Sequence, residues 1–124
     1  MEMKFAWVTL NVTDVERSLA FYQNLLGLEI DRRMKPSPDL ELVFLGKGET
    51  KIELVERPDN SAIPCGSGLS IGFEVPSLKD MTRRLGELGI PVHSGPFEPD
   101  PHIRFLYVED PDGLRVQLVE NIQA

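Results

Sequence analysis

The residues able to do chemistry fall at alternate positions of four short runs. They are Trp7, Thr9 and Asn11; Lys51, Glu53 and Val55; Ser70, Gly72 and Glu74; and Arg115, Gln117 and Val119. Glu53 supplies a carboxylate, the acid of this set on the last strand of the first copy. Lys51 and Arg115 hold equivalent places and carry the charge that an inward-facing carboxylate needs, so the sequence predicts that Glu53 pairs with one of them. Three solvated charges on a shallow groove account for the pattern equally well. Trp7 offers an aromatic wall for a planar or cationic ligand, or simply bulk that fills a hole. His93 and His102 lie outside the runs and read as loop histidines. His102 could serve as a base at a rim, since imidazole titrates near neutrality.

Alternation with a period of two places such side chains on one face of β-strands and their apolar neighbours on the other. The first strand spans Phe5–Val12, with Ala6, Val8, Leu10 and Val12 on the apolar face. Asp14 reads as a helix N-cap with Glu16 in the first turn, and Val15, Leu19, Tyr22 and Leu26 follow at helical spacing up to Gly27. Strand-like runs come next at Leu28–Arg33, Leu40–Leu45 and Lys51–Glu56. The order then recurs. Leu69–Val75 alternates, Ser77 caps a helix with Asp80 three residues on, and Met81, Leu85 and Leu88 form a stripe ending at Gly89. Strands are expected near Pro91–Ser94, Ile103–Val108 and Leu114–Glu120, the last two joined by the turn Asp110-Pro111-Asp112-Gly113.

The offset between the two copies is nearly constant. Val12 matches Val75 (75 − 12 = 63), Leu26-Gly27-Leu28 matches Leu88-Gly89-Ile90 (88 − 26 = 62), and Ile52–Glu56 matches Val116–Glu120 (116 − 52 = 64). The chain therefore reads as a duplicated α+β domain of two tandem βαβββ modules, 4–57 and 68–121, joined by a linker at 58–67. Neither module can cover both faces of its sheet alone. Val8, Leu10, Ile52, Leu54, Ile71, Phe73, Val116 and Leu118 are expected under the helices. The opposite faces are expected to curl around a shared cleft. The charged, proline-bearing stretch Arg32–Pro38 reads as a mobile loop over it, or as a plain solvated turn.

Composition narrows the function classes. The 124 residues are 41% hydrophobic and 27% charged, which suits one globular domain. A formal charge of −7 disfavours a nucleic-acid partner and tolerates a cationic ligand. No run approaches the roughly 18 apolar residues of a membrane span. The opening residues alternate like a strand and lack a signal-peptide layout. The lone Cys65 cannot form an intrachain disulfide and suits a cytoplasmic setting.

The stretches Trp7–Asp14, Ser18–Tyr22, Leu26–Glu29 and Asp110–Gly113 resemble the vicinal oxygen chelate superfamily, across both modules. That group includes glyoxalase I, bleomycin-resistance proteins, fosfomycin-resistance enzymes, methylmalonyl-CoA epimerases and extradiol dioxygenases. The resemblance implies the glyoxalase/bleomycin-resistance fold and frequent homodimers. In the family's metalloenzymes a His or Gln on the first strand of each module and a Glu on the last bind a divalent ion. Those places here hold Trp7, Glu53, Ser70 and Gln117. Only Glu53 keeps a strong ligand; Gln117 offers an amide oxygen, Ser70 a weak hydroxyl and Trp7 nothing. A stable transition-metal site wants about three good protein ligands, so a metal-free pocket is expected, a divalent metal remaining the alternative.

Three functions follow from this reading. The first is a pocket that binds a small organic molecule without a metal, as sequestering bleomycin-resistance proteins do. The second is a metal-dependent lyase, isomerase or epimerase of the glyoxalase I type with Glu53 as ligand or base. The third is a non-catalytic interaction module. Ligand-contact candidates are Trp7, Thr9, Asn11, Lys51, Glu53, Ser70, Glu74, Arg115, Gln117 and His102.

Overall fold

A computed structural model describes residues 1–48, 50–60 and 68–122. Cys65 and most of the expected linker lie outside the described residues. The chain divides into two compact units, Met1–Pro64 and Cys65–Ala124.

The first unit runs β1 (Trp7–Val12), α1 (Val15–Leu19, continuing as a π-helical turn over Ala20–Leu25), β2 (Ile30–Ser37), β3 (Leu40–Leu45) and β4 (Lys51–Glu56). Its sheet order is β1-β4-β3-β2, with β1 parallel to β4 and the other pairs antiparallel. A parallel pair needs a crossover, and the helical segment supplies it. The second unit repeats the plan with β5 (Ser70–Glu74), α2 (Leu78–Leu88), β6 (Ser94–Asp100), β7 (Ile103–Glu109) and β8 (Arg115–Asn121), in the order β5-β8-β7-β6. Trp7 stands opposite Lys51 and Thr9 opposite Glu53 in the first sheet. Ser70 stands opposite Arg115 and Gly72 opposite Gln117 in the second. The duplication seen in the residues is a duplication of register.

Each helix is held at its start by the same two devices. The Asp14 carboxylate accepts the amides of Glu16 and Arg17, and the Ser77 hydroxyl oxygen accepts that of Asp80. In addition, Glu56 at the end of β4 accepts the Val15 amide at 2.6 Å, and Glu120 near the end of β8 accepts the Leu78 amide at 2.8 Å. Both amides belong to the first helical residue, whose N–H has no partner within the helix. The matched Glu56 and Glu120 thus tie the last strand of each unit to its helix. In the first unit Arg33 also bridges Glu16 on the helix and Glu41 on β3, and these two bonds hold its guanidinium above the ordinary arginine range.

The cores lie between helix and sheet. Val15, Leu19, Phe21, Tyr22 and Leu25 are buried with Leu10, Val43, Leu45, Ile52 and Leu54 in the first unit. Leu78 and Leu85 are buried with Leu106, Val108, Val116 and Leu118 in the second. Val8, Ile71 and Phe73 are only half-buried. The Asp110–Gly113 turn is stapled from within: the buried Asp110 carboxylate accepts the amides of Asp112 and Leu114, both at 2.9 Å, and Gly113 takes a φ of +88°.

Several expectations need correction. Arg32–Pro38 is no mobile loop: residues to Ser37 form β2, and Pro38-Asp39 make a tight turn into β3. Pro36 is tolerated because β2 is an edge strand, where a missing N–H leaves no ladder bond unmade. The strand expected near Pro91–Ser94 instead begins at Ser94 and runs to Asp100 through Pro96 and Pro99, again on an edge. The π-helical turn advances the chain by more residues per turn than an α-helix, so the stripe slides and Leu25 is buried where Leu26 was expected. Leu88, in the last turn of α2, is 40% exposed, and the buried stripe there is Leu78 and Leu85.

Candidate functional site

Register and parity place Trp7, Thr9 and Asn11 on the face of the first sheet away from the helix, beside Lys51, Glu53 and Val55. Phe44 on β3 pairs with Glu53, and Arg32 on β2 pairs with Phe44, so both extend that face. Trp7 meets Phe44 edge-on, with ring centroids 5.0 Å apart and an interplanar angle of 76°. The Arg32 guanidinium lies over the Phe44 ring, 5.1 Å from its centroid. Phe44 is consequently buried, whereas Trp7 keeps 44% of its surface open. Such contacts fix the indole in place while leaving much of it free to meet another flat group.

The charges pair differently from expectation. Lys51 Nζ reaches Asp31 Oδ2 at 2.9 Å, and Glu53 Oε1 accepts the Thr9 hydroxyl at 2.6 Å. Arg115 Nε lies 3.9 Å from Glu109 Oε2, at the limit of an ion pair. Among the described residues no cation pairs with Glu53. The half-buried carboxylate satisfies itself with a neutral donor instead, because Thr9 stands directly opposite in register and Lys51 finds a nearer acid on β2.

The helix-free face of the second sheet holds Ser70, Gly72 and Glu74 beside Arg115, Gln117 and Val119. Gln117 Oε1 lies across Gly72, where a Cβ would come within 3.3 Å of it. Ser70 and Glu74 are exposed. Sequence reasoning missed an aromatic run on this face: Phe97, Phe105 and Tyr107, with successive centroids 5.4 and 5.9 Å apart. It also missed Phe44, Arg32 and Asp31 in the first sheet. The signal was available in part, since β3 and β7 alternate like the flanking strands and parity could have been carried across them.

Both histidines lie on exposed loop or turn positions. His93 Nδ1 is 3.3 Å from Ser94 Oγ, and the His102 amide is held by Asp100 Oδ1 in the β6–β7 turn. A concavity of about 160 Å3 sits elsewhere in the first unit, at the end of the sheet on its helix side, lined by Lys35, Asp39, Glu41, Glu56, Arg57 and their neighbours. It contains none of the expected ligand contacts. At the other end of β2 and β3 Lys47 lies 2.9 Å from Glu29, lowering the Glu29 pKa and raising its own through a hydrogen bond and charge attraction.

The metal set implied by the resemblance does not fit the side chains at its positions. Trp7 has no lone pair to give and is packed against Phe44; Glu53 already accepts a hydroxyl; Gln117 lies over Gly72. Among the described residues no three His, Cys, Asp or Glu side chains gather as a metal site would require. Nor is any described helix long and apolar enough to cross a membrane.

Comparison with known proteins supports the lineage. The sequence profile of the Glyoxalase/Bleomycin resistance protein/Dioxygenase superfamily matches residues 4–118. A lactoylglutathione lyase of Neisseria meningitidis is 30% identical over 126 aligned residues, covering 95% of this chain and 91% of that protein. A glyoxalase family protein from Bacillus cereus superposes with a TM-score of 0.83 at 17% identity, covering 99% of this chain and 97% of that one. TnmS3, an antibiotic binding protein from Streptomyces sp. CB03234, gives 0.75 at 22% identity, with 98% and 97% covered. At those identities the two solved structures speak for the fold alone. The profile match over almost the whole chain, on two copies of the topology its motifs announced, makes this protein a member of the Glyoxalase/Bleomycin resistance protein/Dioxygenase superfamily.

Proposed function

We propose that this protein binds a small organic molecule on the helix-free face of its sheets and needs no resident metal ion to do so. The supporting observation is Trp7: an indole, edge-on to Phe44 and 44% exposed, at the position to which the family resemblance assigns a metal ligand. An indole cannot ligate, and its open surface suits stacking. The Thr9–Glu53 hydrogen bond supplies a fixed acceptor beside it. Retention of the ligand, as in a sequestering resistance protein, asks nothing further of these residues. The molecule acts as a homodimer in this reading, as is frequent in the family.

A thermal-shift screen of metals and small organic molecules tests the proposal. A specific binder at a hundredfold excess over its Kd raises stability by about 2.7 kcal/mol. The proposal expects organic hits and none among Ni²⁺, Zn²⁺, Mn²⁺ and Fe²⁺. A second reading, a metal-dependent lyase, is favoured by the retained Glu53 and by the names of the 30%-identical relatives. Against it stands the donor set: Trp7 cannot ligate and Ser70 offers only a weak hydroxyl, so these positions are poorly suited to hold the positive centre that an enediolate needs. Formation of lactoylglutathione by the purified protein, dependent on added metal and lost in Glu53→Gln, would establish that reading instead.

A further inference from the structure

One row of side chains across the first sheet carries two opposite charges, an anion on β4 and a cation on β2. Thr9 pairs with Glu53, Glu53 with Phe44, and Phe44 with Arg32, so four adjacent strands each contribute one residue to it. Glu53 is bonded to the Thr9 hydroxyl, and among the described residues no cation pairs with it. Arg32 lies over Phe44 and, among the described residues, forms no ion pair. The other charges of this face, Lys51 and Asp31, neutralise each other at 2.9 Å. One anion and one cation therefore remain uncompensated, two strands apart. At roughly 4.8 Å per strand their Cα atoms are separated by about 10 Å. Between them lies the Phe44 ring, in T-shaped contact with Trp7.

We infer that this row selects a zwitterionic ligand, a small molecule with a flat apolar body, a cationic group at the Glu53 end and an anionic group at the Arg32 end. The inference rests on the metal-free binding reading and names its ligand class. A self-compensating Arg32–Glu53 pair would have made the face neutral and indifferent to ligand charge. The intervening aromatic ring keeps them apart, so each is left to a ligand group, and charge-assisted hydrogen bonds are the stronger kind. Electrostatic selection of this sort also rejects a ligand with the wrong sign at either end.

The test uses the only tryptophan of the chain, Trp7, as a fluorescent reporter at the row. Three probes are titrated into the full chain at low salt: 4-(aminomethyl)benzoate, benzylamine and benzoate. The inference expects the first to bind at least tenfold more tightly than either of the others. Glu53→Gln should reduce it to the level of benzoate, and Arg32→Gln to the level of benzylamine, with circular dichroism confirming that both variants fold. Equal affinity for the three probes, or an equal loss for all three in each variant, would overturn the zwitterion inference while leaving small-molecule binding intact. If none of the probes binds and one divalent ion is taken up per chain, the binding reading falls with it.

Discussion

Replacing Glu56 with alanine removes the acceptor of the first α1 amide and leaves a part-buried N–H without a partner. The lost bond is short, 2.6 Å, and its acceptor is a carboxylate facing the positive end of a helix. Hydrogen bonds to charged groups contribute about 1.5–3 kcal/mol, so Glu56→Ala should cost about 2 kcal/mol. For a chain of this size that corresponds to a fall of roughly 8 °C in Tm. Glu56→Gln keeps an oxygen in place but loses the charge, and should cost about half as much. The duplication supplies an internal control, because Glu120 holds the Leu78 amide at 2.8 Å in the second unit. Glu120→Ala should match Glu56→Ala, and the double variant should show the sum, since the two bonds share no partner. Calorimetry with a check for two-state melting is the assay. A Glu56→Ala variant within 0.5 kcal/mol of the parent (roughly the scatter of surface substitutions) would refute the reasoning.

Other substitutions report on separate parts of the account. Asp110→Ala strips one buried and one part-buried amide bond from the β7–β8 turn and should cost about 2–4 kcal/mol in urea unfolding; a cost below 1 kcal/mol would show that the turn holds without its staple. Trp7→Ala removes an aromatic pair and uncovers Phe44, for a loss of about 1–2 kcal/mol by circular dichroism, together with ligand binding; retained binding would remove Trp7 from the site. Lys47→Met should let Glu29 titrate at higher pH, since the lysine holds its pKa down. Any stability from the depressed Glu29 pKa is present above its unfolded pKa and lost as pH falls through the folded one. Carbon-detected NMR reads the shift, and an unchanged Glu29 midpoint would contradict the pairing.

Much of the fold was legible because its signals are local. Asp14 and Ser77 announce their helices through short polar side chains, and Gly27 and Gly89 end them with φ values of +69° and +70°. Leu40–Leu45 and Lys51–Glu56 were bounded to the residue because turn formers flank apolar alternation. The edge strands were expected, near Leu28–Arg33 and Pro91–Ser94, but their extent was not legible. Pro36, Pro96 and Pro99 are strand breakers by propensity, and only the position of β2 and β6 at sheet edges makes them harmless. The π-helical turn was hidden for another reason: it changes which leucine is buried without changing the composition of the stripe. At the site, parity correctly grouped Trp7 with Glu53, yet the ionic partners were misassigned. Ion pairs depend on which acid lies nearest across a bulged edge, and Asp31 sits where the β2–β3 register slips between Ile30 and Arg32.

Metal-free binding is decided by native mass spectrometry of the full chain after incubation with equimolar Ni²⁺ or Zn²⁺ and brief desalting. The expected result is the metal-free mass, together with a melting temperature that the ions leave unmoved. One ion retained per chain, and lost again in Glu53→Gln, would contradict it.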